Sequence, residues 1–366
     1  MTLKYGLIGC GMMGQEHLRN IALLPGAAVV AIYDPDDAQA ELALRIAPWA
    51  RRARSIENLL AHDDLEALVI ASPNHLHVRQ LQEIASHRTL PILCEKPLFT
   101  QASEEAAICT FQRAYKAPVW VAMEYRYMPP IAALIDRAEE VTGGIKMLTL
   151  QEHRYPFLDK VGNWNRFNAK TGGTFVEKCC HFFDLMRLIL KSEPIRVTAS
   201  AAQFVNHLDE RYQGETPDIW DGGYVQFDFA NGAKAMLELS MFADGSMWNE
   251  EIHAIGPYGK IACRIPGPQR FWPEALGPSP QPELSLYPRR PKHPVTEKIA
   301  LDASLIEAGD HHGSTFYQHQ KFQDLVKTGG EPDVSLEDGR RAVKMGLLAQ
   351  EAAYRHQVLD FSETLE

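Results

Sequence analysis

The sequence predicts an α/β protein in two parts: a doubly wound parallel sheet over residues 1–124 and an α+β domain with a large, mainly antiparallel sheet over residues 125–366. Up to about residue 124, β-rich runs alternate with amphipathic helical stretches, which is the β-α-β order of a parallel sheet. Beyond it, strand-like segments follow one another through short turns, as in an antiparallel sheet. At roughly 100–200 residues per domain, 366 residues also suit two domains.

The first part contains five predicted strands that alternate with five predicted helices. Because parallel strands need a crossover connection, helices are expected on both faces of this sheet. The strands are Lys4–Gly9, Ala28–Tyr33, Ala67–Ala71, Pro91–Glu95 and Pro118–Glu124, and the helices are Met12–Leu24, Ala38–Ile46, Ser55–His62, Asn74–His87 and Gln101–Lys116.

The second part changes to strands joined by turns. Asn231-Gly232 is a hairpin signal, because both residues tolerate a positive φ. We expect the helix Phe175–Leu190 to cover one face of the sheet and the helix Leu336–His356 to close the chain. The predicted strands are Lys146–His153, Ile195–Val205, Tyr224–Phe229, Ala233–Phe242, Glu251–Ile255 and Lys260–Arg264.

A proline-rich stretch, residues 256–294, holds ten prolines in 39 residues. Proline cannot donate to a strand ladder, so the stretch is predicted to be a loop or an excursion at the edge of the sheet. Its basic residues are expected to form a solvated rim or a subunit contact, with contact to an anionic ligand as the alternative; they are Arg264, Arg270, Arg289, Arg290 and Lys292.

Composition narrows the class of protein. Apolar residues make up 45% and charged residues 23%, as in ordinary globular chains, and no apolar run approaches the roughly 20 residues of a membrane span. The net charge of −10 disfavours binding to nucleic acid or anionic lipid. Six cysteines without a C-x-x-C pair argue against a disulfide framework. The N-terminus also lacks a signal-peptide pattern, so we expect a cytoplasmic protein with a small-molecule ligand.

The segment Gly9-Cys10-Gly11-Met12-Met13-Gly14 is a G-x-G-x-x-G motif between a predicted strand and a predicted helix, as in the Rossmann fold. Gly9 allows the tight turn, Gly11 lets a pyrophosphate approach, and Gly14 lets the helix pack closely on the strand. The helix N-terminus, with Met12 and Met13, offers free N–H groups to the phosphates.

Asp34, twenty positions after Gly14, is the acidic residue expected at the end of the second strand. Its carboxylate can accept both ribose hydroxyls of an adenosine, and it repels a 2′-phosphate. NAD is therefore expected as the cofactor in preference to NADP. The alternative is that Asp34 only caps the following helix.

Three further segments give the chain a resemblance to a known family. Together with the glycine turn, they closely resemble the glucose–fructose oxidoreductase / inositol dehydrogenase (Gfo/Idh/MocA) family over most of the chain. The resemblance implies hydride transfer between a nicotinamide and a ring carbon of a sugar or cyclitol, in an active site between the two domains. The segments are Ser72-Pro73-Asn74-His75-Leu76-His77, Cys94-Glu95-Lys96-Pro97-Leu98, and Gly172-Gly173-Thr174 leading to His181-Phe182-Phe183-Asp184.

The resemblance also implies roles for single residues. Lys96 matches the family lysine beside the nicotinamide and the reacting hydroxyl, and His181 matches the histidine assigned as acid/base. Glu95 and Pro97 shape the turn around Lys96, with Pro97 after a cis peptide. The residues implied along the cofactor or at the join between the domains are Ser72, Asn74, His77, Tyr125 and Arg126.

The sequence departs from the family pattern just before His181. Relatives usually have a third glycine and then an aspartate four residues before the histidine, whereas this chain has Thr174 and Glu177, followed by Lys178. The spacing of Glu177, His181 and Asp184 predicts that they share one face of a helix. We expect Lys96, His181 and Glu177 to be catalytic. Whether Lys96 or His181 takes the proton, and whether Glu177 touches the substrate or only orients His181, is left open.

Further candidates for binding substrate are aromatic and cationic residues, which suit the faces and hydroxyl edges of a sugar, or a carboxylate or sulfonate on one. They are Arg154, Tyr155, Trp164, Arg166, Lys178 and Tyr317, beside Lys96, Tyr125 and His181. His311-His312 has no carboxylate at a matching spacing, so no metal site is expected.

The leading hypothesis is an NAD-dependent dehydrogenase of a sugar, sugar derivative or cyclitol, assembled as a dimer or tetramer through the C-terminal sheet. The alternative is an NAD-dependent glycosidase, which oxidises one carbon transiently, eliminates the aglycone, adds water and returns the hydride. A third hypothesis is a cofactor-binding regulator without turnover.

Overall fold

The computed structural model describes residues 2–362 and confirms the parallel sheet of the first part. Six parallel strands lie in the order β3-β2-β1-β4-β5-β6, so the strand order reverses between β1 and β4. A reversal of this kind opens a crevice at the carboxyl ends of the strands. The strands are β1 Leu3–Ile8, β2 Ala27–Tyr33, β3 Arg51–Arg52, β4 Ala67–Ile70, β5 Ile92–Cys94 and β6 Val119–Val121.

Five helices connect these strands, and β4 is buried along its whole length, as expected for a strand covered on both faces. The helices are α1 Met12–Leu23, α2 Asp37–Ile46, α3 Ile56–Leu60, α4 His77–His87 and α5 Glu105–Ala114. Within residues 2–362, none of the helices combines the length and the apolarity needed to cross a membrane.

The second sheet has nine strands in the order β14-β13-β12-β11-β7-β10-β9-β8-β15. It is mainly antiparallel, as predicted, and β10 and β7 form a parallel pair near its centre. The strands are β7 Met147–His153, β8 Pro194–Ala202, β9 Gly222–Phe229, β10 Lys234–Ser240, β11 Glu250–Ile255, β12 Gly259–Ile265, β13 Glu283–Pro288, β14 Val295–Lys298 and β15 Leu359–Asp360.

Long helices pack against one face of this sheet, chiefly α6, α9 and α12. The other face exposes Met147, Tyr224 and Met236. Apolar residues on an open sheet face suit the expected assembly through this sheet, which stays a prediction. The helices of the second part are α6 Pro129–Thr142, α7 Asn168–Thr171, α8 Thr174–Glu177, α9 Cys180–Leu190, α10 Ala303–Ala308, α11 Ser314–Thr328 and α12 Leu336–Arg355.

The helix predicted over Phe175–Leu190 is two helices, α8 and α9, separated by a turn at Lys178 and Cys179. Of the three residues predicted to share one face, Glu177 and His181 line one cavity and Asp184 does not. Asp184 is buried and receives two hydrogen bonds of 2.5 Å from Arg126. The turn instead lets Glu177, Lys178 and His181 all point into one cavity.

The proline-rich stretch lies towards one edge of the second sheet. It carries β12 and β13, and β14 follows it as the edge strand. Two of its basic residues form ion pairs within the chain: Arg264 with Glu251 at 2.9 Å and Arg270 with Asp310 at 2.6 Å.

The chain forms two hydrophobic cores, and the C-terminal segment contributes to both. Phe322 of α11 and Val343 of α12 pack in the core of the parallel sheet, and the Val121 N–H donates to the Val334 carbonyl at 3.1 Å. The first core is therefore completed by residues near the other end of the chain, far beyond the boundary expected at residue 124.

Candidate active site

A cavity of about 640 Å³ lies at the switch point of the parallel sheet. It lies between the glycine turn, the loop after β4 and the turn after β5. Among its lining residues are most of those predicted to bind the cofactor: Gly9, Gly11, Met12, Met13, Asp34, Ser72, Asn74, Glu95 and Lys96.

The glycine turn has the geometry that a dinucleotide requires. Gly9 has a φ of +92°, and a Cβ on it would lie 2.5 Å from the Ser72 nitrogen. A Cβ on Gly11 would meet nothing within 4 Å, so open space for a ligand lies there. Gly14 does not line the cavity; a Cβ on it would lie 2.1 Å from the Gly9 carbonyl oxygen, so it serves the close packing of α1 on the turn.

The Asp34 carboxylate is fixed at the rim of this cavity. Its Oδ2 accepts the Cys10 N–H at 2.7 Å and its Oδ1 accepts the Asp36 N–H at 2.8 Å. Asp36, not Asp34, caps α2 by accepting from the Gln39 N–H. Each Asp34 oxygen keeps acceptor capacity for a ligand hydroxyl, so the residues present fit a dinucleotide with a free ribose.

Two buried histidines, His77 and His17, support the turn after β5. The Lys96–Pro97 peptide is cis, as predicted. His77 does not line the cavity; its ring nitrogens lie 2.8 Å from the Pro97 carbonyl and 3.0 Å from the Ser72 carbonyl. His17 Nε2 lies 3.0 Å from Glu95 Oε1. These contacts join the two loops and α1 into one support for Lys96.

A second cavity, of about 100 Å³, opens beside the first one toward the second sheet. It contains the predicted residues Tyr125, Arg154, Tyr155, Lys178 and His181. Five residues line both cavities and so mark the passage between them: Met12, Met13, Lys96, Lys160 and Glu177.

Two of the predicted catalytic side chains carry opposite protonation states. Burial opposes the Lys96 ammonium, but Glu177 together with Glu95 and Glu124 outweighs it, so the pKa of Lys96 lies above its ordinary value. Burial and the positive charges of Lys96 and Lys178 hold the pKa of His181 well below its ordinary value. Near neutral pH, Lys96 is therefore a cation and His181 a neutral imidazole.

Glu177 does not contact His181 through any hydrogen bond found among residues 2–362. Its carboxylate accepts from Asn74 and lies 3.7 Å from Lys160 Nζ, while its backbone carbonyl accepts from Lys96 Nζ at 3.1 Å. His181 stacks on the Tyr125 ring at 4.1 Å. Glu177 is thus placed beside the two lysines at the passage.

A buried charge cluster forms the far side of the second cavity. Lys178 Nζ donates to the Tyr125 hydroxyl at 2.5 Å and lies 2.9 Å from Glu152 Oε1. Glu152 and Glu250 are directly opposite each other on β7 and β11. Burial and the charge of Glu152 raise the pKa of Glu250 to about 7, so this group can exchange a proton near neutrality.

Besides Gly14 and His77, three predicted residues line neither cavity. Arg126 is bound to Asp184. Arg166 is buried between Asp159 at 2.8 Å and Glu210 at 3.0 Å. Tyr317 lies on α11 beside Phe316. Trp164, predicted to bind substrate, lines the first cavity and not the second.

The second cavity also contains polar residues that sequence motifs did not indicate. Glu16, Glu124 and His311 bring their ligand atoms within 4.8 Å of one another, the kind of grouping that could bind a metal ion. The spacing argument against a metal missed this group, because the carboxylates come from α1 and from the segment after β6. Burial alone would lower the pKa of His311, but Glu124 and Glu16 raise it to about 10. The positive charge of the imidazolium thus compensates part of the negative charge of the two carboxylates.

Two family models match the chain. The one described as oxidoreductase family, NAD-binding Rossmann fold, matches residues 3–123, and the one described as oxidoreductase family, C-terminal alpha/beta domain, matches residues 138–360. Both represent the Gfo/Idh/MocA family, in agreement with the resemblance of the motifs.

The sequence identity between this chain and the following three relatives is between 20% and 29%. Inositol 2-dehydrogenase of Rhizobium meliloti (strain 1021) is 27% identical over 264 residues, which are 72% of this chain and 76% of that protein. Rhizopine catabolism protein MocA of Rhizobium meliloti is 29% identical over 276 residues, 74% and 79% of the two chains. Levoglucosan dehydrogenase, solved in complex with NADH, superposes with a TM-score of 0.82 at 20% identity, covering 99% of this chain and 100% of that one.

Proposed function

This chain belongs to the Gfo/Idh/MocA oxidoreductase family, and we propose that it oxidises a ring carbinol of a sugar, sugar derivative or cyclitol with NAD as the cofactor. The observation that carries the proposal is the passage between the two cavities. Lys96, Lys160 and Glu177 lie there, between the cavity at the glycine turn and the polar second cavity. Relatives named inositol 2-dehydrogenase and levoglucosan dehydrogenase support the substrate class.

The second cavity suits a polyhydroxylated ring. Its Asn249, Glu250 and Lys178 offer both donors and acceptors, and the Tyr155 ring offers an apolar face. Bound NAD supplies a carbon that accepts a hydride. The charged Lys96 ammonium stabilises the alkoxide character that develops on the substrate oxygen as the hydride leaves. The neutral imidazole of His181 forms a hydrogen bond with a hydroxyl of the same ring or accepts a proton from it.

Preference for NAD over NADP is part of the proposal. The Asp34 carboxylate is held by two backbone N–H groups and cannot turn away from a ligand's ribose without losing both. A 2′-phosphate placed against it would meet an uncompensated negative charge. The preference therefore rests on one residue.

A substrate panel tests the function. Purified protein is incubated with NAD or NADP and, in turn, with myo-inositol, levoglucosan, hexoses and hexose acids, while NADH is followed by absorbance. We expect NAD-dependent turnover of at least one ring polyol. No NADH from any member, with the cofactor shown to bind, would contradict the proposal.

The same assay separates oxidation from glycoside cleavage. A dehydrogenase accumulates one NADH per substrate consumed, whereas a redox glycosidase regenerates NAD in every cycle and releases an aglycone. Chromogenic glycosides are added in a parallel series. Aglycone release that needs only catalytic NAD, with no net NADH, would replace the dehydrogenase by the glycosidase.

A further inference from the structure

The imidazole of His181 lines the second cavity, and no hydrogen bond orients it from its buried side. Its Nδ1 is buried and finds no hydrogen-bond partner among residues 2–362. A histidine that exchanges a proton usually has its second nitrogen bound to a carbonyl or a carboxylate, which sets the tautomer and the direction of the ring. The Glu177 carboxylate is bound to Asn74 instead. Another contact must therefore orient the His181 ring.

That contact is a stack on the Tyr125 ring. The two ring centres are 4.1 Å apart and the ring planes differ by 5°, so the rings lie face to face. Phe182, the next residue of α9, meets the Tyr125 ring edge-on, with the ring centres 5.6 Å apart. Aromatic rings in contact prefer a defined mutual orientation. The direction of the His181 ring therefore depends on the direction of the Tyr125 ring, which comes from the segment after β6.

Lys178 holds the Tyr125 ring at its hydroxyl. Lys178 Nζ donates to this hydroxyl at 2.5 Å and lies 2.9 Å from Glu152 Oε1. Glu152 is fully buried on β7 and has Arg154 as a second cation, at 3.5 Å. The ion pair with Glu152 thus fixes the ammonium, and the ammonium fixes the hydroxyl. These contacts connect β7 to the Tyr125 ring, on which the acid/base candidate stacks.

Burial distinguishes Lys178 from an ordinary surface lysine. Its side chain is 7% exposed, and an ammonium at such a depth is retained only where other groups compensate it. Tyr125 and Glu152 occupy two of its three N–H groups. The third is left for a substrate in the second cavity, which Lys178 lines. Lys178 thus connects the wall that faces the substrate with the support of the Tyr125 ring.

We propose that Lys178 is a positioning residue for His181 and acts through the hydroxyl and the ring of Tyr125. The inference rests on the proposed function, in which His181 forms a hydrogen bond with a substrate hydroxyl or accepts its proton. An acid/base group has to lie within hydrogen-bond reach of the substrate oxygen, and a displacement of about 1 Å can lower turnover by about 10²-fold. The stack keeps the imidazole in that position, and Lys178 keeps the stack in place.

A double-mutant cycle in kcat tests this coupling. Lys178→Met removes the charge and keeps the length of the side chain, and Tyr125→Phe removes the hydroxyl and keeps the ring. The assay uses NAD with myo-inositol and levoglucosan. We expect each variant to lower kcat by roughly 10–10²-fold. The double variant should lie no lower than the more impaired single variant, because both substitutions remove the same link. A substrate contact of equal strength in ground and transition state appears in KM, so kcat is the quantity compared.

Effects on kcat that multiply in the double variant would overturn the proposal, and so would wild-type kcat in either single variant. Lys170→Met and Tyr258→Phe are the matched controls and should have wild-type kcat. They lie at exposed positions of α7 and of the turn between β11 and β12.

Lys178→Met leaves the buried charge of Glu152 with one compensating cation fewer, so a second variant guards against loss of the fold. Glu152→Gln/Lys178→Met removes both charges of the pair and should fold, as thermal denaturation checks. We expect it to show the same loss of kcat as Lys178→Met. Wild-type kcat in this folded variant would overturn the proposal. Tyr125→Phe tests the same link without removing a charge.

A measurement without turnover tests the inference apart from the proposed function. Protein labelled with ¹³C at the histidine Cε1 atoms is examined by NMR, and His181→Gln identifies the His181 signal. The ring current of the stacked tyrosine shifts this signal upfield. We expect the upfield shift in the wild type, its loss in Tyr125→Leu and its reduction in Glu152→Gln/Lys178→Met. An unchanged His181 signal in the last variant would overturn the inference, even if the substrate panel succeeds. An inactive panel with the expected NMR shifts would overturn the proposed function alone.

Discussion

The Asp34 carboxylate accepts two backbone N–H groups and faces the first cavity with its remaining acceptor capacity. Replacing it by alanine removes the acceptors for a ribose and also the repulsion of a 2′-phosphate. We therefore expect Asp34→Ala to weaken NADH and to bring the affinities for NADH and NADPH closer together, as measured by fluorescence titration. Asp64→Ala, an exposed site paired with Lys4, is the control. Tighter binding of NADPH than of NADH by the wild type would contradict the assignment.

Lys96 is a half-buried cation whose pKa lies above its ordinary value, because Glu177 and other acidic neighbours outweigh the effect of burial. Its expected role is electrostatic, so Lys96→Met should lower turnover by roughly 10²–10⁴ and leave NADH binding nearly unchanged. Steady-state kinetics and NADH titration measure the two effects separately. Lys116→Met, exposed after α5, should behave as the wild type. Near-normal turnover in Lys96→Met would reduce Lys96 to a packing role.

At the scale of elements, an ion cluster joins α1, the segment after β6 and the loop before α11. His311 Nδ1 lies 2.8 Å from Glu16 Oε1 and 3.4 Å from Glu124 Oε1, and the Thr315 hydroxyl lies within hydrogen-bond distance of both carboxyl groups. Against the effect of burial, the carboxylates raise the pKa of His311 to about 10, and His311 lowers that of Glu16 to about 2. The cluster connects the two parts of the chain at the wall of the second cavity.

This cluster makes stability depend on pH in a definite direction. The His311 pKa rises on folding, so its contribution is complete below the unfolded value of about 6.5 and is lost as the pH rises towards 10. We expect the stability advantage of the wild type over the Glu16→Gln/His311→Gln double variant to shrink from pH 6.5 to pH 10 in urea denaturation. The same comparison with Lys327→Ala, an exposed site, should show no such trend. A constant or growing advantage would exclude the ion pair.

The helix that follows this cluster shows why some elements were missed. α11 buries Ser314, Thr315, Gln318, His319 and Gln323 beside its apolar residues, so its buried face lacks the apolar periodicity that predicts a helix. The break between α8 and α9 is a similar case. Apolar spacing predicts one helix there, while the structure turns at Lys178, whose ammonium binds Tyr125 and Glu152 inside the second cavity.

At the scale of the whole molecule, the C-terminal segment completes the first core. Phe322 is fully buried, with its ring centre 6.2 Å from that of Tyr5 and 6.3 Å from that of Trp120. Phe322→Ala should therefore destabilise the N-terminal part by about 3–5 kcal/mol, the usual cost of such a cavity. Urea denaturation followed by tryptophan fluorescence measures this, with Lys327→Ala on the same helix as the control. A wild-type transition in Phe322→Ala would mean that the first core stands without α11.

The sequence by itself determined the two-part fold, the glycine turn, the Lys96 turn and the family. These features depend on strand and helix periodicity, on glycine and proline backbone preferences and on short motifs, all of which act between residues close together in the chain. Only the tertiary structure decided which side chains share the cavities. Arg126, Arg166 and Tyr317, which were predicted site residues, do not line the cavities. Lys160, Glu250 and His311, which were not, do line them. The reason is that a cavity wall is built from segments far apart in the sequence. A buried charged side chain also has to lie beside a group that compensates its charge, and that group can be anywhere in the chain.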